Sequence, residues 1–220
     1  MTSVTQTKEP PRRRMPAVER RGVILEAALE AFAERGFHEA TLDEVARRAG
    51  VSKALIYEHF DSKRDLTRAL LDTYVHELLG RLAEAIVASE PGEERMRTGV
   101  DSVLRFVEER PGAWRMLFRN SGDPDIADLF AALQGEAAGA IASAMAADAR
   151  EVGTAPPPSP AQIEMLAQQL SGAVQAIATW WTEHPEVPRE GVLEMVMDCC
   201  WVGFERLGEG ERWSAGGRRS

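Results

Sequence analysis

The sequence predicts an all-α chain: a small N-terminal three-helix unit carrying a helix-turn-helix, then a larger helical body. Three observations lead there. Apolar residues recur at i, i+3, i+4 and i+7 through most segments between residues 18 and 208, the spacing of one helix face. Helix-start chemistry stands where those stripes begin, at Thr41…Glu44, at Ser62…Asp65 and at Ser159-Pro160-Ala161-Gln162. No alternation with a period of two appears anywhere.

Residues 1–16 (MTSVTQTKEPPRRRMP) are polar, rich in proline and arginine, and without periodicity, which predicts a disordered basic arm. The Arg12-Arg13-Arg14 cluster is suited to phosphates or an adjacent minor groove, and equally to a plain solvated tail. The first helix shows Val23, Ile24, Ala27, Ala28, Ala31 and Phe32 on one face and ends at Arg35-Gly36, with Phe37 folding back. Thr41 and Glu44 form a capping box, the hydroxyl taking a backbone N–H and the glutamate reaching back. Leu42, Val45, Ala46 and Ala49 mark the buried side of this second helix. Gly50 supplies a left-handed stop, and Val51 plugs the turn. Ser52 caps a third helix whose inner side is Leu55, Ile56 and Phe60. Two short helices around a glycine-bearing turn make a helix-turn-helix, which sets its second helix into the DNA major groove.

A long helix over 62–88 carries Leu66, Leu70, Leu71, Tyr74, Leu78, Leu82 and Ile86, so one end belongs to the N-terminal unit and the other to the body. After Pro91-Gly92 a helix runs to about Arg110 with Val100, Val103, Leu104 and Val107 inward. Pro111 opens a short helix holding Trp114, Met116, Leu117 and Phe118. Asp123-Pro124 caps an alanine- and glycine-rich helix reaching about Arg150, and 152–159 (VGTAPPPS) reads as a loop. The second capping box, at Ser159, opens a helix to about Glu183 with Ile163, Leu166, Leu170, Ala173, Val174, Ile177 and Trp181 inward. His184-Pro185 to Pro188 breaks the chain. The last helix, from about Arg189 to Gly208, carries Leu193, Val196, Met197, Cys200, Trp201, Phe204 and Leu207.

The net charge of −9 is unevenly spread. Residues 1–68 hold 13 Lys/Arg against 11 Asp/Glu, a net +2; residues 69–220 hold 13 against 24, a net −11. Only the N-terminal part is suited to a polyanion, and the acidic remainder is repelled from one. No run approaches the roughly 18 apolar residues of a membrane span, so a cytoplasmic chain without a membrane partner is expected. Cys199 and Cys200 are adjacent, which rules out a disulfide framework.

The set Thr41…Glu44-Val45-Ala46…Ala49-Gly50-Val51-Ser52…Ile56-Tyr57…His59-Phe60…Ser62-Lys63…Leu66 resembles the DNA-binding domain of the TetR family of transcriptional repressors. The resemblance covers roughly residues 18–70; beyond it the likeness is helical character and a looser match near the C-terminus. With the composition of its two ends, it divides the chain into a disordered arm over 1–16, a DNA-binding domain over 17–62, a helical regulatory and dimerisation domain over 63–208, and a flexible tail over 209–220.

Carried over position by position, the resemblance makes Ser52 to Phe60 the recognition helix. Lys53, at its first turn, is matched to a guanine O6/N7 edge and Ala54 to a thymine methyl. Tyr57 and His59 occupy places that donate to phosphates, and Lys63 adds a contact from the next helix. Thr41 approaches a phosphate through the N-terminus of its own helix. Where the family commonly has glycine and then a small or hydroxyl residue, this chain has Ala54 and Leu55, which removes one hydroxyl contact. Arg47 and Arg48 are expected to be solvated or paired with first-helix glutamates.

The resemblance also implies a homodimer on a double-stranded, inverted-repeat operator, with the last two helices packed against their copies. Leu166, Leu170, Val174, Ile177, Trp181, Leu193, Met197, Trp201 and Phe204 are the expected interface. The middle helices are expected to enclose a small-molecule inducer, apolar or amphipathic, lined by Phe106, Trp114, Met116, Phe118, Met145, Met165, Gln175 and Trp180. Catalysis is not expected. His38, His59, His76 and His184 are scattered, and neither a glycine-rich phosphate loop nor a nucleophile elbow is present. Neither a cofactor nor a metal is called for. The alternatives are a metal- or redox-responsive regulator using Cys199 and Cys200, and an activator of the same fold.

Overall fold

The computed structural model describes residues 16–119, 124–152 and 157–209. The basic arm, the Asp123 cap and the tail lie outside the described residues, apart from Pro16 and Glu209, which flank helices. Among the described residues the chain is all helix and turn. The helices are α1 (Ala17–Glu39), α2 (Leu42–Ala49), α3 (Lys53–Tyr57), α4 (Lys63–Ala88), α5 (Glu93–Glu109), α6 (Pro111–Arg119), α7 (Pro124–Val152), α8 (Pro160–Trp181), α9 (Arg189–Val196) and α10 (Val202–Gly208).

Local chemistry sets most boundaries. Gly36 takes φ +78° and ψ 164°, so the regular part of α1 stops where Arg35-Gly36 was expected to stop it. Gly50 is left-handed at φ +65° and returns its N–H to Ala46 and Arg47. Ser52, Ser62 and Ser159 each accept a backbone N–H three residues on. At Ser159 the box is complete, with the Gln162 Oε1 accepting the Ser159 N–H at 2.8 Å. At Thr41 only half of the expected box forms: Thr41 Oγ1 accepts the Glu44 N–H at 3.3 Å, and the Glu44 carboxylate goes to arginines instead. Several guanidinium partners are better acceptor satisfaction than one backbone N–H.

The last helix is interrupted. Met197–Trp201 forms a π-helical turn between α9 and α10, with φ and ψ helical on both sides. A wider turn re-aims the side chains that follow it.

One apolar core runs from the N-terminal unit into the body. Ile24, Phe32, Val45 and Ile56 meet Leu66 and Leu70 of α4, and the same cluster continues through Leu104, Trp114 and Leu117 to Leu170 and Trp181. Helix α4 spans both parts; from Leu66 to Leu82 it rises about 24 Å. Helix α1 packs on α4, where the Tyr74 hydroxyl donates to Glu26 at 3.2 Å. Burial, ahead of the nearby Glu26 charge, pushes the Tyr74 pKa up. Helix α1 also packs on α6: a Cβ at Gly112 would stand 3.4 Å from that of Ala33, so the backbones approach closely.

Candidate nucleic-acid interface and ligand cavity

The α2–α3 pair is held on α1 by a charge cluster centred on Glu44, whose side chain is only 9% exposed. Arg48 reaches it at 2.9 Å and Arg35 at 3.2 Å, while Arg48 also donates to Glu34. Arg48 is therefore structural, as its expected pairing with α1 required. Its hydrogen bond draws the Glu34 carboxyl below its ordinary range.

Against this frame the expected DNA-facing residues fall into two groups. Thr41, Ser52, Lys53 and Ala54 are exposed, and Tyr57 is 50% exposed on the same short helix as Lys53 and Ala54. Lys53, Ala54 and Tyr57 stand at i, i+1 and i+4 and so share one side of α3. The Lys53 ammonium is paired with Asp43 at 2.8 Å, a hydrogen bond that raises its pKa. Leu55 is half-buried.

The other two turn inward. His59 Nε2 is buried without a hydrogen-bond partner, and the ring tilts against Phe60 with centroids 6.3 Å apart. Lys63 Nζ lies 4.5 Å from the Phe37 ring centroid and donates to the His38 carbonyl at 3.3 Å. Burial pushes its pKa down. A cation satisfied by an aromatic face and a carbonyl fastens Phe37 to α4, in place of the free phosphate contact that position suggests. Nothing in the sequence marks Asp43 as the partner of Lys53, ten residues away.

The body holds a half-open cavity of about 1020 Å³ between α4, α5, α6, α7, α8 and the C-terminal rod from Trp201 onward. Its walls are chiefly aliphatic and aromatic, with Leu78 and Leu82 from α4, Val100 and Val103 from α5, and Leu133 and Ile141 from α7. That volume and character suit a drug- or lipid-sized apolar molecule. Of the expected ligand residues, Trp114, Phe118, Met145, Met165 and Gln175 line it. Trp114 and Phe118 pack with centroids 4.0 Å apart and planes tilted by 33°, and Trp114 Nε1 donates to Thr179 at 3.2 Å. Gln134 donates to Gln175 across α7 and α8 at 2.5 Å. Phe106, Met116 and Trp180 are elsewhere. Phe106 and Met116 are core side chains, and Trp180, 43% exposed, stacks on His184 outside.

The expected dimer residues also pack, wholly or in part, against their own chain. Leu166, Leu170, Val174, Trp201 and Phe204 wall the cavity. Trp181, Leu193 and Met197 are buried, with Trp181 Nε1 donating to the Val187 carbonyl at 2.7 Å, and Ile177 packs on the core. Leu170, Val174, Trp181, Leu193 and Met197 are buried and leave little surface for a second chain, while Leu166, Ile177, Trp201 and Phe204 are half-buried. The exposed apolar face of these helices is the opposite one: Ala173, Ala176 and Trp180 on α8, with Met195 and Val202 across the π turn.

Cys199 is exposed, its Sγ 4.0 Å from Met195 Sδ, and burial raises the Cys200 pKa, which lowers its thiolate fraction. Among the described residues no group of three or more His, Cys, Asp or Glu side chains is placed to hold a metal. Nor is any described helix long and apolar enough to cross a membrane.

Residues 24–70 match the model of bacterial regulatory proteins of the tetR family. Residues 92–203, more than half of the chain, match the tetracyclin repressor-like C-terminal domain. The chain belongs to the TetR family. It is thus a DNA-binding transcriptional regulator of helix-turn-helix type, from a family that is not enzymatic. This TetR-family chain is 40% identical over 107 residues to the transcriptional activator FasR of Mycolicibacterium smegmatis, covering 49% of each protein. It is 45% identical over 82 residues to the transcriptional regulator TtgR of Pseudomonas putida, covering 37% of this chain and 36% of that one. The chain thus spans about half or less of the length of these curated relatives. Solved structures agree on the fold. The fatty acid degradation regulator FadR of Bacillus halodurans superposes with a TM-score of 0.69 at 16% identity, over 87% of this chain and 99% of that one. FadR of Bacillus subtilis in complex with stearoyl-CoA gives 0.66 at 17%, over 80% and 96%.

Proposed function

We propose that this regulator binds an inverted-repeat operator as a homodimer and is released from it by a small molecule bearing an apolar acyl chain. The observation that carries the reading is the cavity of about 1020 Å³, walled in part by Trp114 and Phe118 of α6, the same helix that packs on α1. A molecule filling the cavity therefore presses on an element in direct contact with the DNA-binding unit. The FadR of Bacillus subtilis, whose fold this chain shares, holds stearoyl-CoA.

In this reading Lys53 leaves Asp43 to reach a guanine, Ala54 meets a thymine methyl, and Tyr57 and Thr41 approach phosphates beside Ser52. Two copies meet through the outward face around Trp180, Met195 and Val202, which sets the spacing of the two α3 helices. Ligand favours a spacing that no longer matches successive major-groove turns, and a few kcal/mol of differential affinity moves most of the population.

The test is selection of bound fragments from genomic DNA, repeated with and without stearoyl-CoA. One inverted repeat, lost when the ligand is added, supports the reading; no preference for any duplex overturns it. The sign of regulation is a separate matter. We propose repression, and a reporter driven from the selected operator distinguishes it from activation, which the name of the FasR relative favours.

A further inference from the structure

Arg95 is the one cation among the described residues that line the cavity. It belongs to α5, and its side chain and that of Asp148 on α7 are 16% and 18% exposed. The guanidinium donates to Asp148 and, from Nη2, to the Ser89 carbonyl at 3.0 Å. The other Asp148 oxygen accepts the Gly92 N–H at 2.9 Å. A guanidinium has five N–H groups. Two are engaged here, and Nε is buried with no acceptor.

Asp148 already balances the charge of Arg95, so the pair lacks acceptor oxygens, not a counter-ion. The charged lining of the cavity is otherwise acidic, with Glu205 and Glu209 beside Asp148. One cation against three anions disfavours a ligand carboxylate and leaves a neutral oxygen acceptor as the better match. Gly99 and Val103 also line the cavity, four and eight residues beyond Arg95 on the same face of α5. That face descends about 12 Å through apolar surroundings.

We infer that Arg95 is the head-group site of the cavity, taking the neutral acyl carbonyl of a thioester or ester. The hydrocarbon chain runs from it past Gly99 and Val103 toward Trp114. The inference rests on the acyl-ligand reading above and adds to it the group that reads the polar end.

The experiment is calorimetric titration of the full chain with stearoyl-CoA, with S-octadecyl-CoA (the thioether that lacks only the acyl oxygen) and, as a carboxylate control, with stearate. Wild type is expected to bind the thioester about tenfold or more tightly, the scale of a charge-assisted hydrogen bond. Arg95→Met combined with Asp148→Asn removes the guanidinium without stranding a carboxylate. It should bring the two ligands to within about twofold while thioether affinity stays near wild type. Arg95→Lys keeps a cation for Asp148 but loses the planar fork, and should also shrink the preference, which keeps the test open if the double variant does not fold. Equal binding of the two by wild type, or a preference that survives in the variants, overturns the assignment while leaving the acyl-ligand reading standing. Failure of wild type to bind either overturns both. A loss of stearate affinity in the double variant as large as that of the thioester would reassign Arg95 to a carboxylate and overturn the neutral-carbonyl site.

Discussion

Lys63→Met separates a residue that holds the DNA-binding unit together from one that holds DNA. The Lys63 ammonium lies 4.5 Å from the Phe37 ring centroid and 3.3 Å from the His38 carbonyl oxygen. Methionine keeps the apolar stem and removes the charge and the donor. The hydrogen bond is worth about 1 kcal/mol and the partly exposed cation–π contact about 0.5–1 kcal/mol, so the loss is about 1.5–2 kcal/mol. For a chain of this size that lowers Tm by about 3–8 °C. Thermal denaturation followed by circular dichroism reads the first effect. Operator affinity across a salt series reads the second, and its slope should match wild type, because no phosphate contact has gone. An unchanged Tm together with a slope shallower by about 0.9 for each lost contact would show that Lys63 sits on the backbone of DNA after all.

Lys53→Ala should cost about 1–3 kcal/mol at the selected operator and far less on random duplex, in a competition assay. Asp43→Asn, which frees Lys53 from its 2.8 Å partner, should tighten operator binding, most visibly at low salt. Trp180→Glu places a charge on the outward face of α8 and should shift the chain from dimer to monomer in sedimentation, while the spectrum of the folded monomer is kept. Glu34→Gln addresses acid stability. The Glu34 pKa is lowered in the folded chain by its hydrogen bond to Arg48, so its contribution is present above the ordinary value of 4.5 and lost as pH falls through the folded value. The variant should show a shallower fall of Tm with acidification below about pH 4.5 than wild type does.

Much of the fold was legible because its signals are local. The Gly36 and Gly50 stops, the Ser52, Ser62 and Ser159 caps and Pro160 at a first helical position each depend on a few neighbouring residues. The inward residues of α1, α2 and α4 were legible for the same reason, since a stripe at helical spacing has one core to face. The body is harder. Helix α8 has apolar residues on two sides, Leu170 and Val174 on one and Ala173, Ala176 and Trp180 on the other. Periodicity shows that both are apolar without telling which meets the cavity and which meets solvent. That is why residues read as an interface wall the cavity instead. Phe106 and Met116 show the complementary limit: large adaptable side chains are as useful in a core as beside a ligand, and only packing separates the two. The Lys53–Asp43 pair spans ten positions across a turn and the Arg95–Asp148 pair spans 53, both beyond the reach of any helix-spacing rule.

Among the described residues the one π turn, at Met197–Trp201, fixes the register of everything that follows it. A π turn holds one residue more than an α turn, so the stretch from Val202 onward lags by about 100° behind an uninterrupted helix. Winding the same residues as plain α-helix would swing Phe204 out of the chamber it now helps to close and bring other side chains to the place where Val202 meets the solvent. Deleting one residue of the turn, Cys199 for example, would instead remove the bulge and leave Val202 onward facing as before. The surplus residue is what this stretch of the rod can lose without re-cutting the chamber and the outer face, whereas a loss elsewhere in the rod would turn both.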